Sequence, residues 1–295
     1  MSDRIHSQLL TVLVITYNHS PFIKRALESV LEQRTTFGYC VHVLDDASTD
    51  GTSDIVRAYG VAHPGIVIPY IRASNGGVAN VREGLARIQT KYYATLEGDD
   101  CWCDVNKLQI QVDLLEANPD CTMCGHNTLC KYLAPVLEKS PHPFLRAKTQ
   151  KVKGIPKSFW GKKVVVPHLS SRVYVTAYQS RGRLKNLDVL VWDLSSYYWF
   201  LSQGNCYYLD RIMSVYHSGA GLFSAAPERY QRQLGLRMVM MVDQALDSRY
   251  TPYLMRKAAN LLRLPWFKKW CFCCWWTQRT RDAICHAFLD ENGQG

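Results

Sequence analysis

From Leu9 to Asn118 the chain alternates between short unbroken apolar runs and stretches whose apolar residues recur at helical spacing. Leu9–Ile15 is apolar and partly β-branched, and it stops at Thr16-Tyr17-Asn18. Such a run predicts a strand buried on both faces, as in a parallel sheet, followed by a polar loop. Over Pro21–Gln33, residues Phe22, Ile23, Ala26, Leu27, Val30 and Leu31 share one face behind an early proline, which predicts a helix. The alternation then repeats. Cys40–Leu44 predicts a strand ending in the polar run Asp45–Thr52, and Ser53–Tyr59 a helix. Ile66–Ile71 predicts a third strand, Asn75-Gly76-Gly77 a turn, and Val78–Ile88 a helix. Tyr92–Leu96 predicts a fourth strand, ending in Glu97-Gly98-Asp99-Asp100, and Lys107–Asn118 a helix stopped by Pro119.

The second half is less regular. Pro, Lys and Gly are dense over Ala134–Gly161, which predicts long loops. Val164–Val166 reads as a strand, and Val173–Gln179 as a strand or the start of a helix. Asp193–Ser202 reads as a helix closed by Gly204, and Cys206–Leu209 as a strand. Glu228–Leu246 alternates apolar and basic residues at helical spacing. Strand–helix alternation with polar loops after the strands is the pattern of an open α/β sheet, in which ligands bind beyond the strands' C-terminal ends.

Charge is distributed in blocks. The 295 residues carry a formal net charge of +10. Lys139–Leu187 holds 12 Lys or Arg and no acid, and Ser248–Arg281 holds 8 and again no acid. Two basic surfaces on an acidic body suit phosphate-bearing partners. Eleven cysteines are an odd number, and no export signal precedes them, so reduced thiols are expected. Cys101, Cys103, Cys121, Cys124 and Cys130 raise zinc as an alternative, but their spacing matches a zinc ribbon poorly. The Leu9–Ile15 run is too short to span a membrane, and no segment reaches 18 uninterrupted apolar residues, so a cytoplasmic protein is expected.

Three acidic groups fall beyond predicted strands or in the later half: Asp45 with Asp46, Glu97 with Asp99 and Asp100, and Asp188 with Asp193. Carboxylates crowded at the end of a buried strand repel one another unless a cation or hydrogen-bond donor lies between them. A Mn²⁺ or Mg²⁺ shared with substrate phosphates meets that need. Helix capping and Asx-turns are the plainer reading, and they suit Ser48, Thr49 and Asp50 well.

At this level the chain resembles glycosyltransferase family 2, the inverting enzymes of GT-A fold that use nucleotide sugars. The resemblance rests on Val12–Gln33, Val43–Thr52, Asn75–Arg82, Leu96–Trp102 and Tyr208–His217, in that order. It covers roughly residues 10 to 225. It implies a Rossmann-like, mostly parallel central sheet flanked by helices, with a C-terminal helical extension. It also implies three parts: a nucleotide-sugar-binding half (1–105), an acceptor-binding half of the same domain (106–225) and a helical, basic and aromatic tail (226–295).

The resemblance further implies that Thr16, Tyr17, Asn18, Asp46, Asn75, Arg82 and Asp99 contact the donor. Asp46 would hydrogen-bond the base. Asp99 and Asp100 match the metal-binding D-x-D element and rank above Glu97, which stands where Asp is commoner in the family. Asp193, eleven residues before Gly204, matches the carboxylate base that deprotonates the acceptor, with Asp188 as the alternative. His217 matches a metal or phosphate ligand less closely, a buried structural histidine being the competing reading.

The activity implied is transfer of a sugar, most simply from a UDP-sugar, to a glycan or lipid-linked acceptor in surface-polysaccharide synthesis. A nucleotidyltransferase is one rival, but it calls for a Gly-rich, basic loop after the first strand, where this chain has Thr16–Pro21. The other rival is a non-catalytic membrane-binding module, which the acidic clusters disfavour. No nucleic-acid partner is expected. Leu254–Trp276 combines bases with Trp266, Trp270, Trp275 and Trp276 and is expected to dock peripherally on an anionic membrane face.

Overall fold

A computed structural model describes residues 8–132, 142–154, 165–179, 193–218, 227, 236–238, 240, 241 and 243–246. Two compact units divide the chain, 1–225 and 226–295.

The first unit is built on one ten-stranded sheet flanked by helices. Strand β1 (Gln8–Thr16) lies near its centre with Leu10, Val12, Leu13 and Val14 fully buried. Burial on both faces is what an uninterrupted apolar run demands, and parallel neighbours satisfy it. It pairs parallel with β2 (Gly38–Asp45) on one side and with β4 (Tyr92–Glu97) on the other, and β3 (Val67–Ile71) pairs parallel with β2. Helix α1 (Ile23–Leu31) buries Ile23, Ala26, Leu27 and Val30 completely, a spacing of three and four residues that forms one stripe against the sheet. Ile23, Leu27 and Val30 each contribute roughly 1.5–3 kcal/mol on burial. Helices α2 (Thr52–Ala62) and α3 (Val78–Ala86) complete the crossovers.

Beyond β4 the sheet continues through β5 (Cys101–Trp102), β6 (Cys121–Tyr132), β7 (His142–Pro143), β8 (Gln150–Val152), β9 (Val173–Val175) and β10 (Asn205–Ser218). Its order is β3-β2-β1-β4-β9-β6-β10-β5. Short β9 runs antiparallel to both β4 and β6 and so joins the first four strands to the parallel pair β6–β10. Helix α4 (Lys107–Ala117) precedes β6, and α5 (Asp193–Gln203) precedes β10. The mostly parallel α/β sheet is as expected.

Several expectations need correction. Cys121–Tyr132 forms a strand that its sequence does not announce, because Thr122, His126, Asn127 and Thr128 interrupt its apolar pattern; all four are buried within the sheet. The Ala134–Gly161 stretch is not wholly loop, since it contributes β7 and β8. The strand beginning near Cys206 runs on to Ser218 past the exposed Asp210 and Arg211, where a register shift breaks the alternation. Val165 and Val166 are irregular, and Val164 lies outside the described residues. Val173–Gln179 is a strand followed by a 3-10 turn, Thr176–Tyr178.

The described cysteines form no disulfide, and all except Cys103 are buried. In the second unit the described backbone within 236–245 is helical. Asp188 and the whole Leu254–Trp276 segment lie outside the described residues. Among the described residues, no helix is long and apolar enough to cross a membrane.

Candidate active site

The parallel register brings the three polar strand ends together. Thr16 pairs with Asp45 and Ile15 with Glu97, so the loops after β1, β2 and β4 emerge side by side. Two backbone bonds lock them: Asp46 N–H donates to the Thr16 carbonyl at 3.0 Å, and Gly98 N–H to the Ile15 carbonyl at 2.8 Å. A Cβ on Gly98 would lie 2.6 Å from Thr16 Oγ1 and 2.9 Å from His19 Nδ1, so only glycine lets these loops touch.

The expected donor-side residues share this edge. Asn18 adopts φ 54°, and its side-chain oxygen accepts from Thr49 N–H at 2.8 Å, tying the first loop to the second. Tyr17 is half-buried beside it. The Asp46 carboxylate accepts from Gly76 N–H at 2.8 Å and Gly77 N–H at 2.7 Å, while the Asn75 amide donates to the Asp46 carbonyl at 3.3 Å. Gly77 has φ 52°, a left-handed value that glycine accepts without strain. Asp46 therefore shapes the Asn75–Gly77 turn with both oxygens. Asp45 does the same for its own loop through the hydroxyls of Ser48 and Ser53. Arg82 is exposed on α3.

The metal-binding geometry falls on a set that the sequence reading identified only in part. Among the described residues, one group of His, Cys, Asp and Glu side chains could hold an ion: Glu97, Asp100 and His168, with one ligand atom from each within 4.8 Å of the others. His168 Nδ1 lies 3.7 Å from Asp100 Oδ2, and its Nε2 3.9 Å from Glu97 Oε2. Burial pushes the imidazole down to about 3, with the Arg172 charge adding to it, so the ring stays neutral as a ligand must. Burial and then the Asp99 charge push Asp100 up to about 8, against hydrogen bonds from Ser170 and His217 that favour its charged form. Burial and the charges of Asp100, Asp99 and Asp193 also raise Glu97. With 40% of the Glu97 side chain exposed, the like charges are the firmer part of that rise. Two carboxylates and a neutral imidazole form an oxygen-and-nitrogen donor set that fits a divalent cation of the Mn²⁺ or Mg²⁺ kind.

Asp99 and His217 stand outside this set. The Asp99 carboxylate faces His19 at 3.9 Å. His217 Nδ1–H donates to the Asp99 carbonyl at 2.7 Å, and its backbone N–H to Asp100 Oδ1 at 3.1 Å. His217 thus braces the Asp99–Asp100 turn from β10, and its Nδ1 is taken by that contact.

Asp193 opens α5 with 49% of its side chain exposed and lies close enough to raise Glu97. The sequence reading missed His168, Ser170 and Arg172, all in the acid-free basic stretch. Pro167-His168 ahead of the Ser170-Ser171 pair was the only local cue, a polar cluster in the unassigned gap between the expected strand Val164–Val166 and the element expected at Val173–Gln179.

A family model described as glycosyl transferase family 2 matches residues 11–169. An uncharacterised protein of Mycobacterium tuberculosis is 39% identical over 118 residues, 40% of this chain and 34% of that protein. A Bacillus subtilis protein, provisionally named teichuronic acid biosynthesis glycosyltransferase TuaG, is 30% identical over 135 residues, 45% of this chain and 52% of that one. The chain thus matches about a third to a half of the length of these relatives. In fold it is similar to S. aureus TarS in complex with UDP-GlcNAc, with a TM-score of 0.64, 14% identity, and 96% of this chain and 82% of that one covered. It is also similar to the mannosyltransferase PcManGT of Pyrobaculum calidifontis in complex with GDP-Man and Mn²⁺, with a TM-score of 0.59, 17% identity, and 99% and 78% coverage.

Proposed function

The chain belongs to glycosyl transferase family 2, and from that premise we propose that it transfers a sugar from a nucleotide diphosphate donor to an acceptor hydroxyl. The observation that carries this reading is the Glu97–Asp100–His168 set at the C-terminal edge of the sheet, beside loops shaped by Asp46 and Asn18.

In this reading Thr16, Tyr17, Asn18, Asp46, Asn75, Arg82 and Asp99 face the donor. Asp46 keeps the Asn75–Gly77 turn open toward the base while retaining lone pairs for it. Glu97, Asp100 and His168 would hold Mn²⁺ or Mg²⁺, which offsets the charge that develops on the departing diphosphate. His217 keeps the Asp99–Asp100 turn in place. Asp193 takes the proton from the acceptor hydroxyl as that oxygen attacks the anomeric carbon. The sugar–phosphate bond breaks as the new glycosidic bond forms, and the nucleoside diphosphate leaves.

A UDP-sugar donor is supported by the nucleotides seen with S. aureus TarS, and a GDP-sugar by the GDP-Man of PcManGT. The name of the Bacillus subtilis relative supports a surface polysaccharide as the product. A lipid-linked acceptor rests on the basic stretches alone, and peripheral docking on a membrane on the bases of Leu254–Trp276 together with Trp266, Trp270, Trp275 and Trp276. Liposome co-sedimentation of the full chain against a truncation after Tyr253 tests the docking: equal binding by both, or none by either, removes it.

The deciding experiment screens UDP-glucose, UDP-galactose, UDP-N-acetylglucosamine and GDP-mannose for metal-dependent release of the nucleoside diphosphate. Turnover of one or two donors, abolished by chelation, is expected. Metal-independent release, or none from a wider panel, would overturn the reading.

A further inference from the structure

Arg172 is fully buried, and its guanidinium joins two segments that the proposed chemistry needs side by side. Nε and Nη2 donate to the Pro167 carbonyl at 2.8 and 2.6 Å, directly before the metal-ligating His168. Nη1 donates to the backbone carbonyl of Asp193 at 2.5 Å and to Ser196 Oγ at 3.3 Å, and it lies 3.2 Å from Tyr174 Oη. Nη2 stands 3.9 Å from Asp193 Oδ2. Ser196 Oγ donates to the same Asp193 carbonyl at 3.0 Å, closing the ring of contacts. Pro167 is wedged as well: a Cβ on Gly125 would come within 2.5 Å of its ring. The His168 segment therefore cannot retreat toward β6.

A cation taken wholly out of water is costly unless paired and hydrogen-bonded, and an apolar residue would fill the same space with less penalty. What a guanidinium offers and an apolar side chain cannot is a rigid planar fork that holds two carbonyl oxygens at a set separation. One of those carbonyls belongs to the residue beside a metal ligand, and the other to Asp193 itself. The Asp193 carboxylate remains 49% exposed, so its backbone is anchored while its acid group stays open to an acceptor.

We infer that Arg172 is a positioning residue, whose guanidinium bolts the first turn of α5 to the His168 segment and so sets the spacing between base and metal site. This rests on the reading of Asp193 as the base. Misplacing a reacting group by about 1 Å costs on the order of 100-fold in rate, so loosening this bolt should lower turnover without loosening the donor.

The test uses the full chain with Mn²⁺ and whichever of UDP-N-acetylglucosamine or GDP-mannose it hydrolyses, water standing in for the acceptor. Arg172→Lys keeps the charge but loses the fork. Its kcat should fall about 10- to 100-fold, with KM and calorimetric binding of UDP or GDP plus Mn²⁺ within about twofold of wild type. Ser196→Ala removes one contact at the Asp193 carbonyl and should show the same pattern more weakly, about three- to tenfold in kcat; it decides the matter if Arg172→Lys does not fold. An unchanged kcat in the folded variant overturns the inference. So does an equal loss of turnover and nucleotide binding, the mark of a merely structural residue. Asp193→Asn, measured in parallel, separates the two ideas. Retained turnover there removes the base reading, whereas a dead Asp193→Asn beside a fully active Arg172→Lys removes only the role of Arg172.

Discussion

The hydroxyl of Ser170 donates to Asp100 Oδ2 at 2.5 Å while accepting the backbone N–H of Glu97 at 3.2 Å. One small side chain thus orients both acidic members of the candidate metal site. Groups that hold ligands in this way typically change metal affinity 10- to 100-fold when removed. Ser170→Ala is expected to raise the Mn²⁺ concentration for half-maximal donor turnover by about tenfold, with the melting temperature little altered. An unchanged Mn²⁺ requirement would show that the Asp100 carboxylate needs no such support.

Glu97, Asp100 and His168 can be set against Asp99 as the metal ligands. Removing any of the three by alanine should raise the Mn²⁺ requirement about tenfold or more, and Asp100→Ala should also abolish most turnover. Asp99 faces His19 at 3.9 Å, outside the triad, so Asp99→Ala should act mainly on the KM for the donor. Mn²⁺ titrations of nucleoside diphosphate release check both. A larger metal effect from Asp99→Ala than from Glu97→Ala would restore the ranking drawn from the resemblance.

Gly98→Ala tests the close approach of the β1 and β4 loops. The added methyl would stand 2.8 Å from Thr16 Cβ, which cannot rotate away as a side-chain tip could. Overpacking of this kind costs about 1–3 kcal/mol, and the strain falls on Thr16 and the acidic turn. Urea denaturation should show that loss, with donor turnover falling further than stability does. Wild-type turnover would mean that the loops separate without consequence.

Lys107 provides a pH test. Among the described residues its Nζ has no hydrogen-bond partner; it is fully buried and lies 3.9 Å over the Trp102 ring. Burial pushes it down to about 7 from its ordinary 10.5. Above pH 7 the unfolded chain holds this proton and the folded one does not, so stability rises with pH from about 7 to about 10. Below pH 7 both states are protonated, and the full cost of burying the charge is present. Lys107→Met should therefore be more stable than wild type near neutral pH, by up to a few kcal/mol, with the gap closing as pH rises. Parallel urea midpoints that keep a constant gap from pH 6 to 10 would contradict the burial.

Much of the first half was legible because its elements carry strong local patterns. β1 and β4 are buried on both faces and read as unbroken apolar runs, and α1 shows its stripe at Ile23, Ala26, Leu27 and Val30. The polar ends of those strands mark the site, because parallel pairing brings the same ends of neighbouring strands to one edge. The second half hid β6 because Thr122, His126 and Thr128 are polar yet satisfied or enclosed inside the sheet, and no hydropathy pattern distinguishes that from a loop.

The sequence by itself determined the strand–helix order from β1 to β4 and the placing of Thr16, Asp46 and Glu97–Asp100 at one sheet edge, since run length, period and turn residues act over a few positions. Only the tertiary structure decided that the Glu97 and Asp100 carboxylates converge on His168 while that of Asp99 turns to His19, because that depends on side-chain direction within a tight turn. It alone brought His168 and Ser170 to Asp100, and Arg172 to Asp193. The Ser170–Asp100 contact spans 70 residues and the Arg172–Asp193 contact 21. Contacts at such separations are set by how β9, the 3-10 turn Leu169–Ser171 and α5 pack on the sheet, and they leave no period in the chain to read.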